Sequence, residues 1–206
     1  MEKTFVNALI VGRFQVAGPH LGHQSLIDMA ASLAENVVIM ISSSQEYGTE
    51  RNPFCYETRA NMFRETYGKT YKSSKIILRD LPDLTNENDI TTEWGKHILT
   101  KQKIVTKRNP DIMIFGDDDS NEGWFAKEDS FETSMLKIPR ARIDISATQL
   151  RQWMAQDDRE SWMEFTHPRM HSFYDEIRGE LMQIDFYKQL SQPQKVVPQA
   201  VAPKGY

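Results

Sequence analysis

The feature that most constrains the fold of this chain lies within its first 35 residues. It is an apolar run, followed by a glycine- and proline-rich bend and then by a helical pattern. Residues 5–11 form the apolar run, which predicts a buried strand. A helix is predicted over about 22–35, because Leu26, Met29 and Leu33 recur at helical spacing. A strand that turns directly into a helix presents backbone N–H groups to an anion. The sequence therefore predicts an anion-binding turn at the end of a strand.

One arginine and two histidines lie in this turn. Arg13 follows Gly12, and His20 and His23 are three residues apart, so both imidazoles can face the same way across the first helical turn. Gly22 between them lets a ligand approach the backbone closely. A lone histidine at a helix start is more often a capping residue, but the combination predicts a polyphosphate site. The motifs GxxxxGK[ST] and GxGxxG are both absent, so neither of those phosphate loops accounts for it.

Composition narrows the class of protein. Of the 206 residues, 39% are apolar and 26% are charged, as in soluble globular domains. The net charge of −4 argues against non-specific binding to nucleic acid. A single cysteine, Cys55, excludes an intrachain disulfide and favours a reducing cytoplasm. Because no apolar run approaches about 18 residues, we expect neither a membrane span nor a signal peptide.

Short apolar runs alternate with helical patterns along the rest of the chain. Further strands are predicted at 37–41, 76–78, 111–116 and 142–145, and further helices over 57–67 and from near residue 90. This order predicts βαβ units, hence an α/β fold with a Rossmann-like doubly wound parallel sheet of about five strands. Residues from Trp153 to about Leu190 predict a helical cap or subunit contact, broken into two helices at His167-Pro168.

Three later segments carry candidate ligand-binding side chains. Pro53 favours an extended turn, so Asn52 can present its side chain to a ligand, although core and surface roles for Phe54 and Arg59 are equally well supported. Gly116 ends a strand and is followed by Asp117, Asp118 and Asp119 at the edge where open α/β sheets bind ligands. Three adjacent carboxylates most often form a solvated turn. Alternatively, Asp119 receives a ligand amine or hydroxyl, or a magnesium-bound water.

The last candidate segment is a helix start. Ser146 and Gln149 form a capping-box pattern, which accounts for both residues without any ligand. It does not account for Arg151, which points back toward the helix start only if an anion lies there.

Three motifs together resemble the HxGH nucleotidyltransferase superfamily. They are Gly-Arg-Phe-Gln at 12–15, His-Leu-Gly-His at 20–23 and Ile-Ser-Ala-Thr-Gln-Leu-Arg at 145–151. The first of them narrows the resemblance toward nicotinamide mononucleotide adenylyltransferases of the archaeal and phage-like type. Asn-Pro-Phe at 52–54, followed by Glu57 and Arg59, is similar to another motif of the family. The resemblance covers residues 5 to about 175.

The resemblance implies transfer of AMP from ATP to nicotinamide mononucleotide, giving NAD and pyrophosphate without a covalent intermediate. Magnesium enters with ATP, and no residue is assigned as a metal ligand. The implied catalytic residues are His20, His23, Arg13 and Arg151. The implied ATP-binding residues are Gly12, Phe14, Gln15, Gly22, Gly116, Ser146 and Thr148. The implied acceptor-binding residues are Asn52, Phe54, Arg59, Trp94 and Asp119. In the family a tryptophan stacks on the nicotinamide ring, and Trp94 is similarly placed, although a core position would suit it equally.

Alternatives remain open for function and for organisation. The chain could transfer a nucleotide to another phosphorylated acceptor, such as phosphopantetheine, or act as a nucleotide-binding regulatory domain. We expect a domain over 1–190, with its C-terminal helices from about 153, and a proline-containing tail or linker over 191–206. Some relatives carry a Nudix domain at this position, so a longer parent protein is one expectation. The expected partners are ATP and nicotinamide mononucleotide, without nucleic acid or membrane, and a homo-oligomer is left open.

Overall fold

The computed structural model describes residues 2–85, 91–116, 121–139 and 145–192. The strands in these ranges are β1 Phe5–Gly12, β2 Ala34–Ser42, β3 Thr70–Tyr71, β4 Ser74–Leu81, β5 Ile112–Gly116 and β6 Ser134–Ile138. The α-helices are α1 Leu21–Leu33, α2 Tyr56–Tyr67, α3 Thr92–Thr106, α4 Lys127–Ser130, α5 Ala147–Ala155, α6 Arg159–Phe165, α7 Tyr174–Leu181 and α8 Asp185–Leu190. Two 3₁₀ helices span Asn121–Trp124 and Pro168–Phe173.

These strands form one sheet in the order β3-β4-β2-β1-β5-β6. Five of them run parallel, and only the short β3 pairs with β4 in the antiparallel direction. From β1 the chain first builds outward through β2 to β4 and then returns to place β5 on the other side of β1. The predicted doubly wound α/β fold is thus confirmed. The crevice where such sheets bind ligands lies beside the carboxyl end of β1.

The fifth parallel strand is not the one that the sequence predicted. The last strand of the sheet is β6, whereas the prediction was 142–145. Residues 142–144 lie outside the described ranges, and Ile145 precedes α5 without belonging to a strand. In the described sheet β6 has only β5 as its neighbour, and Lys137 interrupts its apolar residues, so it lacks the continuous apolar run that marks the inner strands.

Both faces of the sheet are covered, because successive side chains of a strand point to opposite faces. On one face the core contains Ala8, Ile10, Val37, Ile39 and Ile41 with Ala30 of α1 and Phe63 of α2. On the other face it contains Leu9, Val38 and Met40 with Trp94 and Ile98 of α3. The central parts of β1 and β2 are therefore apolar on both faces, as expected for a parallel sheet between two layers of helices.

The C-terminal helices form a third cluster, which holds the turn before α1. Trp162 of α6 is fully buried, and its indole N–H donates to the carbonyl of Ala17 at 2.6 Å. The predicted break at His167-Pro168 is present, because α6 ends at Phe165 and His167 caps the 3₁₀ helix that follows. The region contains more than the two predicted helices, since α7 and α8 come after that 3₁₀ helix. An extra break falls after α5, because Asp157 has a positive φ of 61° and Asp158 caps α6 by accepting from the Ser161 N–H at 3.1 Å.

Within the described ranges, none of the helices has both the length and the apolar character needed to cross a membrane.

Candidate active site

The two histidines meet at the N-terminus of α1. His20 is the N-cap, and its Nδ1 accepts from the backbone N–H of Gly22 at 3.1 Å. Since Nδ1 is an acceptor, the neutral ring carries its proton on Nε2. The ring of His23 stacks on that of His20, with centroids 3.8 Å apart. The predicted juxtaposition of the two imidazoles is therefore present in the structure.

Phe14 packs against this pair through its contact with His23. Its backbone has a positive φ of 49°, and its ring is 6% exposed. The ring meets His23 edge-on at a centroid distance of 5.0 Å and lies so close to Gly12 that a Cβ there would be 2.9 Å from Cζ. A side chain at position 12 would therefore have to displace the Phe14 ring, which packs between Gly12 and His23.

Gln15 joins the first motif to the segment that contains Phe54. Its side-chain amide donates to the carbonyl of Phe54 and accepts from the N–H of Phe54, both at 3.0 Å. Gln15 is 4% exposed and Phe54 is fully buried among the C-terminal helices. Gln15 was predicted to contact ATP, and Phe54 was predicted either to contact the acceptor or to lie in the core. The structure places Phe54 in the core, and Gln15 fixes the two loops against each other.

Arg59 is likewise placed differently from either expectation, since its side chain is fully buried. Its guanidinium donates to the carbonyls of Arg13 at 2.5 Å, Ser42 at 2.7 Å and Ser43 at 3.0 Å. Burial lowers the pKa of Arg59 to about 10, because the charge leaves water and its hydrogen-bond acceptors are neutral carbonyls. Arg59 thus ties the end of β1 to the end of β2 and leaves no surface for an acceptor.

Arg151 brings the last motif to the first. The Ser146 side chain caps α5 by accepting from the Gln149 N–H at 3.1 Å, as predicted. One turn further on, Arg151 donates from Nη2 to the Thr148 hydroxyl at 3.2 Å and from Nη1 to the carbonyl of Gln15. The N-termini of α1 and α5 therefore serve one site, since Gln15 belongs to the turn that leads into α1.

A cleft of about 340 Å³ opens beside Arg151. It is lined by Glu50, Arg51, Thr148, Arg151, Gln152, Phe186 and Tyr187. The sequence analysis did not single out Arg51, although its place beside the predicted Asn-Pro-Phe turn was a usable signal. Partial burial and the charge of Arg51 lower the pKa of Arg13, while Asp83 opposes this effect. Arg13, Arg51 and Arg151 bring three positive charges to the site, which suit the phosphates of a nucleotide, while Asp83 and Glu46 act on Arg13 and Glu50 lines the cleft.

The remaining predicted residues fall into three groups. Gly116 ends β5 at the carboxyl edge of the sheet, whereas Asp119 lies outside the described residues. Asn52 is 2% exposed and donates to the carboxylate of Glu46 at 2.5 Å. Trp94 is 3% exposed within the α3-side core, where its ring stacks on His97 at 5.5 Å. In this structure Asn52 and Trp94 are thus largely enclosed by protein.

No group of three or more His, Cys, Asp or Glu side chains in the described ranges is arranged to hold a metal ion.

Comparison with known families identifies the chain's relatives. A family model described as cytidylyltransferase-like matches residues 9–153, which span β1 to α5 and so include both helix N-termini of the site. The chain belongs to the cytidylyltransferase-like family. This confirms the nucleotidyltransferase resemblance of the motifs.

Similar proteins include archaeal enzymes of one activity. The nicotinamide-nucleotide adenylyltransferase of Thermococcus onnurineus is 30% identical over 172 residues, which are 83% of this chain and 83% of that protein. The enzyme of the same name from Aeropyrum pernix is 26% identical over 171 residues, covering 82% and 90% of the two chains. Members of the cytidylyltransferase-like family with this activity thus align along most of the present chain.

Solved structures share the fold. A bifunctional NMN adenylyltransferase/ADP ribose pyrophosphatase from Francisella tularensis, complexed with AMP and a manganese ion, superposes with a TM-score of 0.65 at 17% identity. The match covers 91% of this chain but only 52% of that one, so this chain spans about half of the bifunctional protein. The nicotinic acid mononucleotide adenylyltransferase of Plasmodium falciparum superposes with a TM-score of 0.54 at 16% identity, covering 89% and 97%.

Proposed function

We propose that this protein transfers the adenylyl group of ATP to nicotinamide mononucleotide, producing NAD and pyrophosphate. The observation that carries the proposal is the junction of the two helix N-termini, where Arg151 of α5 is bonded to the Gln15 carbonyl in the turn that leads to His20 and His23. The named activity of the archaeal relatives supports it.

The reaction needs little covalent chemistry from the protein. An oxygen of the acceptor's 5′-phosphate forms a bond to the α-phosphorus of ATP, and the bond from that phosphorus to the bridging β-oxygen breaks. Since the attacking phosphate is already ionised, no general base is required. Catalysis then consists of aligning two anions and stabilising the charge that develops on the departing pyrophosphate.

The site residues suit these two tasks. His20 presents an Nε2–H, because its Nδ1 is occupied by the Gly22 N–H, and His23 is stacked beside it. Arg13, Arg51 and Arg151 supply the positive charge for a triphosphate. Arg59 and Gln15 hold the loops that carry these groups, through hydrogen bonds to backbone carbonyls.

Magnesium is proposed to enter as the MgATP complex. The described residues offer no ligand cluster of their own, so the phosphate oxygens of ATP would supply most of its coordination. The manganese ion that accompanies AMP in the Francisella tularensis structure supports a divalent metal with the nucleotide.

An acceptor panel tests the proposal. Purified protein is incubated with MgATP and, in separate reactions, nicotinamide mononucleotide, nicotinic acid mononucleotide and phosphopantetheine, and the products are resolved by liquid chromatography. We expect NAD and pyrophosphate in equal amounts from the first acceptor. An adenylylated product and pyrophosphate from phosphopantetheine alone would reassign the acceptor. ATP binding without transfer to any acceptor would favour a nucleotide-binding regulatory domain.

A further inference from the structure

A tyrosine of the last helix contacts the guanidinium that joins the two halves of the site. Tyr187 lies on α8, outside the matched family region 9–153. Its hydroxyl oxygen accepts from Nε of Arg151 at 2.7 Å and donates to the carbonyl of Glu50 at 2.7 Å. The hydroxyl therefore donates its proton to the Glu50 carbonyl and accepts the Arg151 Nε–H with a lone pair of its oxygen.

We infer that Tyr187 is a positioning residue that fixes the Arg151 guanidinium in the orientation in which it receives the phosphates of ATP. The inference rests on the proposed function. It gives α8 a role in the reaction, because the hydroxyl of Tyr187 on α8 is the group that binds Nε of Arg151 in the described structure.

The hydrogen bonds of Arg151 leave a defined set of donors for the ligand. The Tyr187 hydroxyl takes the Nε–H, the Gln15 carbonyl takes one Nη1–H, and the Thr148 hydroxyl takes one Nη2–H. A guanidinium has five N–H groups, so one N–H on each Nη nitrogen remains. Two such donors on one planar group match two oxygens of a phosphate, provided that the plane is held.

Burial makes this restraint effective. Tyr187 is 2% exposed and Arg151 is 8% exposed, so water has little access to replace a lost hydrogen bond. Burial also raises the pKa of the Tyr187 hydroxyl, against the opposing effect of the Arg151 charge. The hydroxyl therefore keeps its proton and continues to donate to the Glu50 carbonyl. That bond links α8 to the segment carrying Arg51, so one side chain aligns two of the cationic residues that line the cleft.

Tyr187→Phe tests the inference, because it removes the hydroxyl and keeps the ring. Tyr174→Phe is the matched control: Tyr174 is fully buried in the same cluster, and its hydroxyl donates to Asp157 at 3.1 Å, away from the cleft. We expect Tyr187→Phe to lower kcat/KM for ATP about tenfold or more, since a hydrogen bond to a charged group is lost. KM for nicotinamide mononucleotide should stay within about twofold, and Tyr174→Phe should leave both parameters near wild type.

A double-mutant cycle with Arg151→Ala separates positioning from general loss of structure. If Tyr187 acts through Arg151, Tyr187→Phe has no further effect on kcat/KM for ATP once Arg151 is alanine. Equal fold-losses from Tyr187→Phe with and without Arg151 would overturn the inference. So would parallel effects of Tyr187→Phe and Tyr174→Phe on activity.

The same cycle is measured for MgATP binding by calorimetry, without any acceptor. If the wild-type chain binds MgATP but forms no NAD, the proposed function fails, while the binding cycle still decides the role of Tyr187. Weaker MgATP binding by Tyr187→Phe only when Arg151 is present supports the inference. Unchanged binding would overturn it.

Discussion

The imidazole rings of His20 and His23 lie face to face, with centroids 3.8 Å apart and planes inclined by 27°. Phe14 closes the other side of His23 with an edge-on contact at 5.0 Å. Because each ring restricts the other, the two histidines behave as one unit at the start of α1.

His20→Ala and His23→Ala are each expected to lower kcat about 100- to 1,000-fold, by analogy with the removal of an oxyanion-hole donor. MgATP affinity should change only a few-fold, because the charge that they stabilise develops during the reaction. The double variant should cost less than the product of the two single effects, because the rings position each other. Steady-state kinetics and calorimetry give both quantities.

His171→Ala is the control for this pair, since His171 lies in the C-terminal region against Trp162. Equal losses in kcat and MgATP affinity for His20→Ala would assign His20 to ground-state binding and contradict the proposed mechanism.

Gly95→Ala is expected to destabilise the fold strongly. A Cβ on Gly95 would lie 1.9 Å from the carbonyl oxygen of Trp124, a backbone atom that cannot rotate away. α3 and the 3₁₀ helix 121–124 would have to separate, at a cost of about 1–3 kcal/mol or more. Urea unfolding followed by circular dichroism measures the change.

Gly179→Ala is the matched control for Gly95→Ala. Gly179 lies inside α7, and a Cβ there would meet nothing within 4 Å. The change to alanine should stabilise the protein by up to about 1 kcal/mol through helix propensity. If both variants change the free energy of unfolding in the same direction, the close approach of the Trp124 carbonyl to Gly95 does not determine the effect of a side chain at position 95.

Trp94→Ala should mainly lower stability, by about 3–5 kcal/mol, because a large buried side chain is removed from the α3-side core. Trp94→Phe keeps an aromatic ring at this position. Its KM for nicotinamide mononucleotide tests the expected stacking on the nicotinamide ring. Urea unfolding and kinetics are compared for both variants. A Trp94→Ala protein with wild-type stability and a raised KM for the acceptor would place Trp94 at the ligand and not in the core.

Sequence patterns predicted the elements whose signal is local. The strand–turn–helix around Gly12 and the cap that Ser146 places on α5 follow from short-range spacing, and both are present. The roles of Arg59 and Gln15 could not be predicted in this way. Their partners are backbone groups of residues distant in sequence, such as Ser42 and Phe54, and nothing in an amino-acid pattern records which carbonyl a side chain will meet.

The partners of Arg151 illustrate the same limit. The sequence indicated an arginine directed at an anion, but its contact with Tyr187 joins residues 36 positions apart. That contact depends on the additional break at Asp157 and on how the C-terminal helices pack, neither of which periodicity specifies. Tertiary packing therefore determines the contact between Arg151 and Tyr187, which the motifs did not specify.

Tyr71→Phe should reduce the loss of stability at alkaline pH. Burial, and then the hydrogen bond to Asp28 at 2.7 Å, raise the pKa of the Tyr71 hydroxyl to about 12. The unfolded chain titrates near the ordinary value of about 10, so the folded state holds its proton more tightly. This contribution is complete below about pH 10 and is lost as the pH rises through about 12.

Urea unfolding of the wild type and of Tyr71→Phe at pH 8, 10 and 11 measures this effect. The difference in unfolding free energy between the two proteins should shrink as the pH rises. Tyr174, whose pKa burial and Asp157 also raise to about 12, titrates in the same window in both proteins, so its contribution cancels. A difference that stays constant with pH would show that folding does not raise the pKa of the Tyr71 hydroxyl.

Deletion of residues 191–206 should leave NAD synthesis unchanged. α8 ends at Leu190, and the segment beyond it contains three prolines and no apolar periodicity, which leaves little to pack. Deletion of residues 185–206 is the matched comparison, because it also removes Tyr187 and should raise KM for ATP at least as far as Tyr187→Phe does. Kinetics and size-exclusion chromatography are applied to both truncated chains. If the shorter deletion yields a folded but inactive protein, or one that dissociates from an oligomer, residues 191–206 dock on the domain and are not a linker.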